Sequence, residues 1–155
     1  MKKKVFTKTA SQLLIFLKRK HKKESILNKD PKRKLNVLLV EDDELSGMVT
    51  TFYLKRFGHK VDIAKNGYEA LNRFKEKKYD LILMDIQMPE MDGLQASKEI
   101  RRIEKDYPEK GHTTIIAITT NPNKKDCFKA GMDGYAQKPF SFDGLSTFLD
   151  NNNLI

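Results

Sequence analysis

From residue 35 onward, short apolar runs alternate with segments whose apolar residues recur at helical spacing. Asn36-Val37-Leu38-Leu39-Val40 reads as a buried strand. Leu45, Met48, Val49, Phe52 and Phe57 then follow a helical period, which Gly58 stops. Val61–Ala64 alternates as a second strand, and Asn66-Gly67 makes a turn into a helix marked by Tyr68, Leu71 and Phe74. Leu81–Asp85 is a third strand. Leu94, Ala96, Ile100 and Ile103 give a third helix, ended by Tyr107-Pro108. Ile115–Ile118 is the fourth strand, a short helix runs over Lys124–Ala130 to Gly131, Tyr135–Gln137 is a weak fifth strand, and Phe142–Leu149 is the last helix. Five strands alternating with five helices predict an α/β fold, a parallel sheet with right-handed crossovers and helices on both faces. Periodicity leaves the strand order open.

A chain of 155 residues fits one domain with a proper core. With 39% apolar and 33% charged residues it has the composition of a globular protein with a charged surface. No apolar run reaches the roughly 18 residues of a spanning helix. The single cysteine, Cys127, excludes an internal disulfide and fits a reducing, cytoplasmic compartment as a packed thiol.

The net charge of +9 is an average over two unlike parts. Residues 1–34 hold 13 Lys/Arg against two acids, a net of +11, whereas residues 35–155 hold 17 against 19, a net of −2. The expected organisation is therefore a basic arm and linker over 1–34 and a slightly acidic domain over 35–155. Within the arm, Phe6, Ala10, Leu13 and Leu17 fall at i, i+4, i+7 and i+11, and a Lys/Arg cluster and a Pro31-containing linker follow. The apolar stretch is too short for a signal peptide. A partly helical basic tail, an amphipathic helix against an anionic membrane, a helix that pairs with a partner, and a nucleic-acid contact are all compatible with this pattern.

The chemistry lies at strand ends. Leu81–Met84 delivers Asp85 to a C-terminal end, with Met88-Pro89 and Asp92-Gly93 closing the passage behind it. Glu41-Asp42 follow the first strand, Thr119 ends the fourth, and Lys138, before Pro139-Phe140, ends the fifth. In a parallel sheet these ends share one edge, where ligands bind. Carboxylates crowded there repel one another unless a cation sits among them, and a hard divalent ion with oxygen ligands, Mg²⁺, suits that need. Such an ion with an ammonium and a hydroxyl would receive the oxygens of a transferring phosphoryl group, with Asp85 as nucleophile. Each residue alone has an ordinary structural reading: Asp42 or Asp43, for instance, as cap of the helix at Leu45. Their joint occurrence at four strand ends favours the site.

Val37–Asp42, Met84–Gly93, Ile116–Thr119 and Ala130–Tyr135 running into Lys138-Pro139-Phe140 together resemble the receiver domain of bacterial-type response regulators, in the style of receivers attached to hybrid histidine kinases. The resemblance covers about residues 35–150. It implies a doubly wound, flavodoxin-like sheet of order 2-1-3-4-5. It implies Asp85 as phosphoacceptor from a phosphohistidine in a histidine kinase or phosphotransfer protein. Asp42, Asp85 and the main-chain carbonyl of Gln87 would hold Mg²⁺, with Glu41 acting through water. Lys138 would pair with the phosphoryl oxygens, and Thr119 and Tyr135 would form the switch.

Two features depart from that pattern. The stretch from Thr119 to Tyr135 is about three residues short and contains Pro122, so roughly one helical turn is expected to be lost or rebuilt. Thr120 stands where a small residue is usual and is expected to narrow the approach of water. After Asp150 no room is left for a DNA-binding or enzymatic output domain, so the expected output is contact with a downstream protein, a relay, or something done by residues 1–34. The expected role is a phosphoacceptor rather than a turnover enzyme. A phosphorylation-independent scaffold is one alternative. A phosphatase with an aspartate nucleophile is the other, and it would want a second aspartate where Gln87 stands.

Overall fold

The computed structural model describes residues 33–121, 123–139 and 141–152. Residues 1–32 of the expected 1–34 arm, and the expectations resting on Pro122, Phe140 and the last three residues, lie outside the described residues. Five parallel strands, β1 (Asn36–Val40), β2 (Lys60–Ala64), β3 (Leu81–Asp85), β4 (Thr114–Thr119) and β5 (Gly134–Gln137), form one sheet of order β2-β1-β3-β4-β5. The helices are α1 (Glu44–Arg56), α2 (Gly67–Glu76), α3 (Gly93–Asp106), α4 (Lys124–Lys129) and α5 (Phe142–Asn151), with a 3-10 turn over Pro108–Lys110. The fold is the doubly wound α/β class expected from the sequence, and the strand order is the one the resemblance implies.

Successive side chains of a strand point to opposite faces, so the central strands feed two cores at once. Leu38, Val40, Ile82, Met84, Ile115 and Ala117 pack with Phe74 of α2 and Ile100 and Ile103 of α3. Val37, Leu39, Leu81, Leu83, Ile116 and Ile118 pack on the other face with Leu54 of α1 and Leu145 and Leu149 of α5. Burial on both sides explains why β1, β3 and β4 read as unbroken apolar runs. Cys127 is buried in the first cluster, and burial pushes its thiol above the usual range, as a packed, inert thiol requires.

Two elements carry more than their periodicity suggests. Helix α4 has only six residues. In α1 the buried residues are Gly47, Thr50, Thr51 and Leu54, while Leu45, Met48, Val49 and Phe52 are exposed at 71%, 69%, 41% and 57%. The helix forms where the pattern places it, but its larger apolar stripe faces outward.

Candidate functional site

Asp85 is the last residue of β3, buried although charged, and pairs in register with Ile118, one residue before Thr119. The chain turns away at once. The Gly93 N–H donates to the Ile86 carbonyl at 3.0 Å, which seats the start of α3 directly behind Asp85. A Cβ on Gly93 would lie 2.0 Å from the Asp85 carbonyl oxygen, so only glycine permits this approach. The Gln87 N–H donates to Asp85 Oδ1 at 3.1 Å and fixes the carboxylate's plane.

Glu41 and Asp42 arrive from the end of β1. The Glu41 N–H donates to the Ala64 carbonyl at 3.0 Å, continuing the β1–β2 ladder and burying the Glu41 side chain. Asp43 is the N-cap of α1: its Oδ1 accepts the Ser46 N–H at 2.7 Å, and that bond holds its carboxyl below the ordinary range. Because Asp43 takes the capping role, Asp42 is left free of it, and it is exposed. Carboxylate oxygens of Glu41, Asp42 and Asp85 all lie within 4.8 Å of one another.

Lys138 enters from the end of β5. Its N–H donates to the Thr119 carbonyl at 2.9 Å, and its ammonium donates to Asp85 Oδ2 at 2.6 Å and to Glu41 Oε2. Burial raises the Glu41 carboxyl above its usual value, more than the Lys138 bond lowers it. Burial works against the Lys138 charge, yet Asp85 and Glu41 outweigh it and lift the ammonium above its usual value. Two buried acids thus share a single ammonium, and the cluster holds more acidic than basic groups. An all-oxygen donor set that lacks positive charge fits a hard divalent cation such as Mg²⁺.

Thr119 is buried, and its Oγ1 accepts the Asn121 N–H at 3.4 Å. Tyr135 is half-buried on β5, its ring edge-on to Phe128 at 6.5 Å with the Lys124 ammonium 4.9 Å from its centroid. The structure thus gathers Glu41, Asp42, Asp85 and Lys138 into one cluster, and it sets Thr119 and Tyr135 on the adjacent strands β4 and β5. Gln87 reaches the site through its backbone, and its side chain is exposed.

Sequence reasoning missed the surface beside this site. A groove of about 360 Å³ runs between α1 and the β4 and β5 ends, lined by Leu45, Val49, Tyr53, Thr120, Lys138 and Pro139. Its signal was present in α1, which carries apolar residues on more of its circumference than one buried face needs. Thr120 stands at this groove, beside Lys138, and its carbonyl accepts the Gln137 side-chain amide at 3.2 Å.

Comparison with known proteins places the chain among related domains. The response regulator receiver domain family matches residues 37–150. The aerobic respiration control sensor protein ArcB of Escherichia coli is 42% identical over 117 residues, covering 74% of this chain and 15% of that protein. The chain therefore spans about 15% of the length of this curated relative. Among solved structures, the receiver domain of Saccharomyces cerevisiae Ssk1, co-crystallised with the histidine phosphotransfer protein Ypd1, is 33% identical with a TM-score of 0.68, over 74% of this chain and 86% of that one. The receiver domain of a Pseudomonas aeruginosa sensor histidine kinase, with a magnesium ion coordinated in its active site cleft, is 33% identical with a TM-score of 0.67, over 77% of this chain and 97% of that one.

Proposed function

The chain belongs to the response regulator receiver domain family, and on that premise we propose that Asp85 accepts a phosphoryl group from a phosphohistidine of a histidine kinase or histidine phosphotransfer protein. The observation that carries this reading is the buried Asp85 carboxylate, bonded to the Lys138 ammonium at 2.6 Å and set within 4.8 Å of Glu41 and Asp42 oxygens. An Asp85 oxygen attacks phosphorus, the phosphorus–nitrogen bond breaks, and its electron pair stays on the donor imidazole. The product is an acyl phosphate on Asp85.

The site residues divide the work. Lys138 neutralises the charge that accumulates on the phosphoryl oxygens and holds Asp85 in place beforehand. Asp42 and Asp85, with the main-chain carbonyl of Gln87, would hold Mg²⁺, with Glu41 acting through water. When bound, that ion neutralises the crowded oxygens that donor and acceptor bring together. Thr119 lies one register step beyond Asp85, suited to donate its hydroxyl to the new phosphoryl group, and Tyr135 on the adjoining strand would repack with it. A downstream protein would read that change.

The donor's docking surface is the outward stripe of α1. Leu45, Met48, Val49 and Phe52 present apolar area to solvent, and Leu45 and Val49 border the groove that leads to Lys138. A contiguous exposed apolar patch beside a site suits protein contact. The yeast Ssk1 receiver, which pairs with a histidine phosphotransfer protein, is consistent with a partner of that kind.

The test is direct. Incubation with Mg²⁺ and a small-molecule phosphodonor should give one phosphoryl adduct by intact mass, lost in Asp85→Asn and lost on chelation. An adduct that survives in Asp85→Asn would place the chemistry elsewhere. Absence of any adduct in the wild-type chain would favour a phosphorylation-independent scaffold, and steady release of many equivalents of phosphate would favour a phosphatase.

A further inference from the structure

The two edges of the sheet carry opposite charge. In this fold every strand begins, and every helix ends, at the edge away from Asp85. The segments that meet there, residues 33–36, 54–60, 73–80, 102–113, 128–133 and 149–152, hold 13 Lys/Arg against seven Asp/Glu, a net of +6. The segments of the opposite edge, 41–46, 64–69, 85–95, 119–126 and 137–144, hold four against ten, a net of −6. A domain of almost no net charge is thus a dipole along its strands, with the phosphoacceptor at the negative end.

Basic residues in the last turns of helices are expected from the helix dipole. That accounts for Lys55, Lys75 and Lys105 but not for Lys34, Lys60 or Lys78, which lie in loops or at a strand start. The positive edge also has a built centre. The Lys110 ammonium donates to the Phe74 and Lys75 carbonyls at 3.3 and 3.1 Å, and the Lys78 ammonium donates to the Glu109 carbonyl at 2.6 Å. Two ammonium groups, those of Lys78 and Lys110, are thereby anchored at the junction of α2 with the 3-10 turn, and Lys75 lines the same pocket as Lys110. Tyr107, 54% exposed, stands beside Lys75 and Lys110. Lysines around an exposed aromatic ring match the head-group layer of a bilayer, where an amphipathic ring and long basic side chains both find partners. The chain enters the domain at this same edge, through Arg33, from residues 1–32, which have a net charge of +9 and carry an apolar stripe at helical spacing. That apolar stripe favours lipid over nucleic acid, which offers charge but no hydrocarbon.

We propose that the N-terminal edge of the sheet, centred on Lys75, Lys78, Lys110 and Tyr107, docks on an anionic lipid surface and leaves the acidic edge with Asp85 facing the aqueous phase. The orientation follows from the dipole, because the acidic edge is repelled by the surface that attracts the basic one. It holds whether or not Asp85 is phosphorylated, and so stands apart from the function proposed above.

The experiment compares two charge reversals of equal size on the full chain, read by sedimentation with vesicles of phosphatidylcholine containing phosphatidylserine. Lys75→Glu with Lys78→Glu alters the basic edge. Lys124→Glu with Lys125→Glu alters the opposite edge by the same net charge. The first pair should weaken binding by roughly tenfold or more, given about fivefold per basic residue near an anionic surface. The second should change it less than about twofold, and circular dichroism should show both variants folded. Vesicle binding by the wild-type chain should vanish without phosphatidylserine and fall with added salt. Equal losses in both variants, no loss in either, no binding of the wild type, or tighter binding to duplex DNA than to vesicles would each overturn the proposal.

Discussion

At His59 a single proton decides a buried contact. The ring is 4% exposed, and the Leu35 N–H donates to its Nδ1 at 3.3 Å, so Nδ1 must be the unprotonated acceptor. Its Nε2 is buried with no hydrogen-bond partner among the described residues, and burial lowers the ring's affinity for a proton below the ordinary value of 6.5. The folded state therefore binds this proton less readily than the unfolded chain does. The associated stability is fully present above pH 6.5 and is lost as pH falls through that value and through the lower folded-state value. Urea unfolding at pH 7.5 and 5.5 should show a loss in the wild type that is smaller in His59→Leu. The variant should also lose about 1–3 kcal/mol at pH 7.5, because the Leu35 N–H is left without its acceptor. An identical pH response in both proteins would remove His59 as the sensor.

Helix α1 separates stability from recognition along its own two sides. Leu54 is fully buried, and Leu54→Ala should cost about 2–5 kcal/mol in chemical denaturation. Leu45→Ala with Met48→Ala, both on the exposed stripe, should change stability by about 0.5 kcal/mol or less each. The same pair should slow phosphoryl transfer from a histidine phosphotransfer protein by about tenfold, while labelling by a small phosphodonor is unaffected. Equal slowing with both donors would mean that the stripe acts on the site itself. This helix also marks where sequence reading stops. Its period was legible, but not which side turns inward, because small and β-branched residues fill the narrow space over the sheet: Gly47, Thr50 and Thr51 are the buried ones. Strand ends were legible for the opposite reason. Unbroken apolar runs fix both faces of β1, β3 and β4, so Glu41, Asp42, Asp85 and Thr119 fall on one edge once the strands are parallel. Contacts between distant segments left no local pattern. Arg101, whose guanidinium joins Glu104, Asp133 and the Thr113 and Gly131 carbonyls, is the clearest example.

Across the whole molecule, the site is a place where the fold carries unfavourable charge so that it can bind charge later. Glu41 and Asp85 are buried, Asp42 is beside them, and one ammonium serves the group. Burying acids without full compensation costs stability, and active sites commonly carry such a cost. Removing one negative charge should therefore strengthen the empty fold: in a chelator, Asp85→Asn should unfold at a higher denaturant concentration, by about 0.5–2 kcal/mol. The amide keeps the shape of the carboxylate and can still accept from Lys138. Anything that binds only the folded state adds RT ln(1 + [L]/Kd), about 2.7 kcal/mol at a hundredfold excess over Kd. Mg²⁺ should then raise the wild-type midpoint by that order and the Asp85→Asn midpoint by much less, reversing the ranking of the two proteins. If the variant is the weaker protein in chelator, or if Mg²⁺ shifts both midpoints equally, the carboxylates are fully compensated by Lys138 and the cation site does not include Asp85.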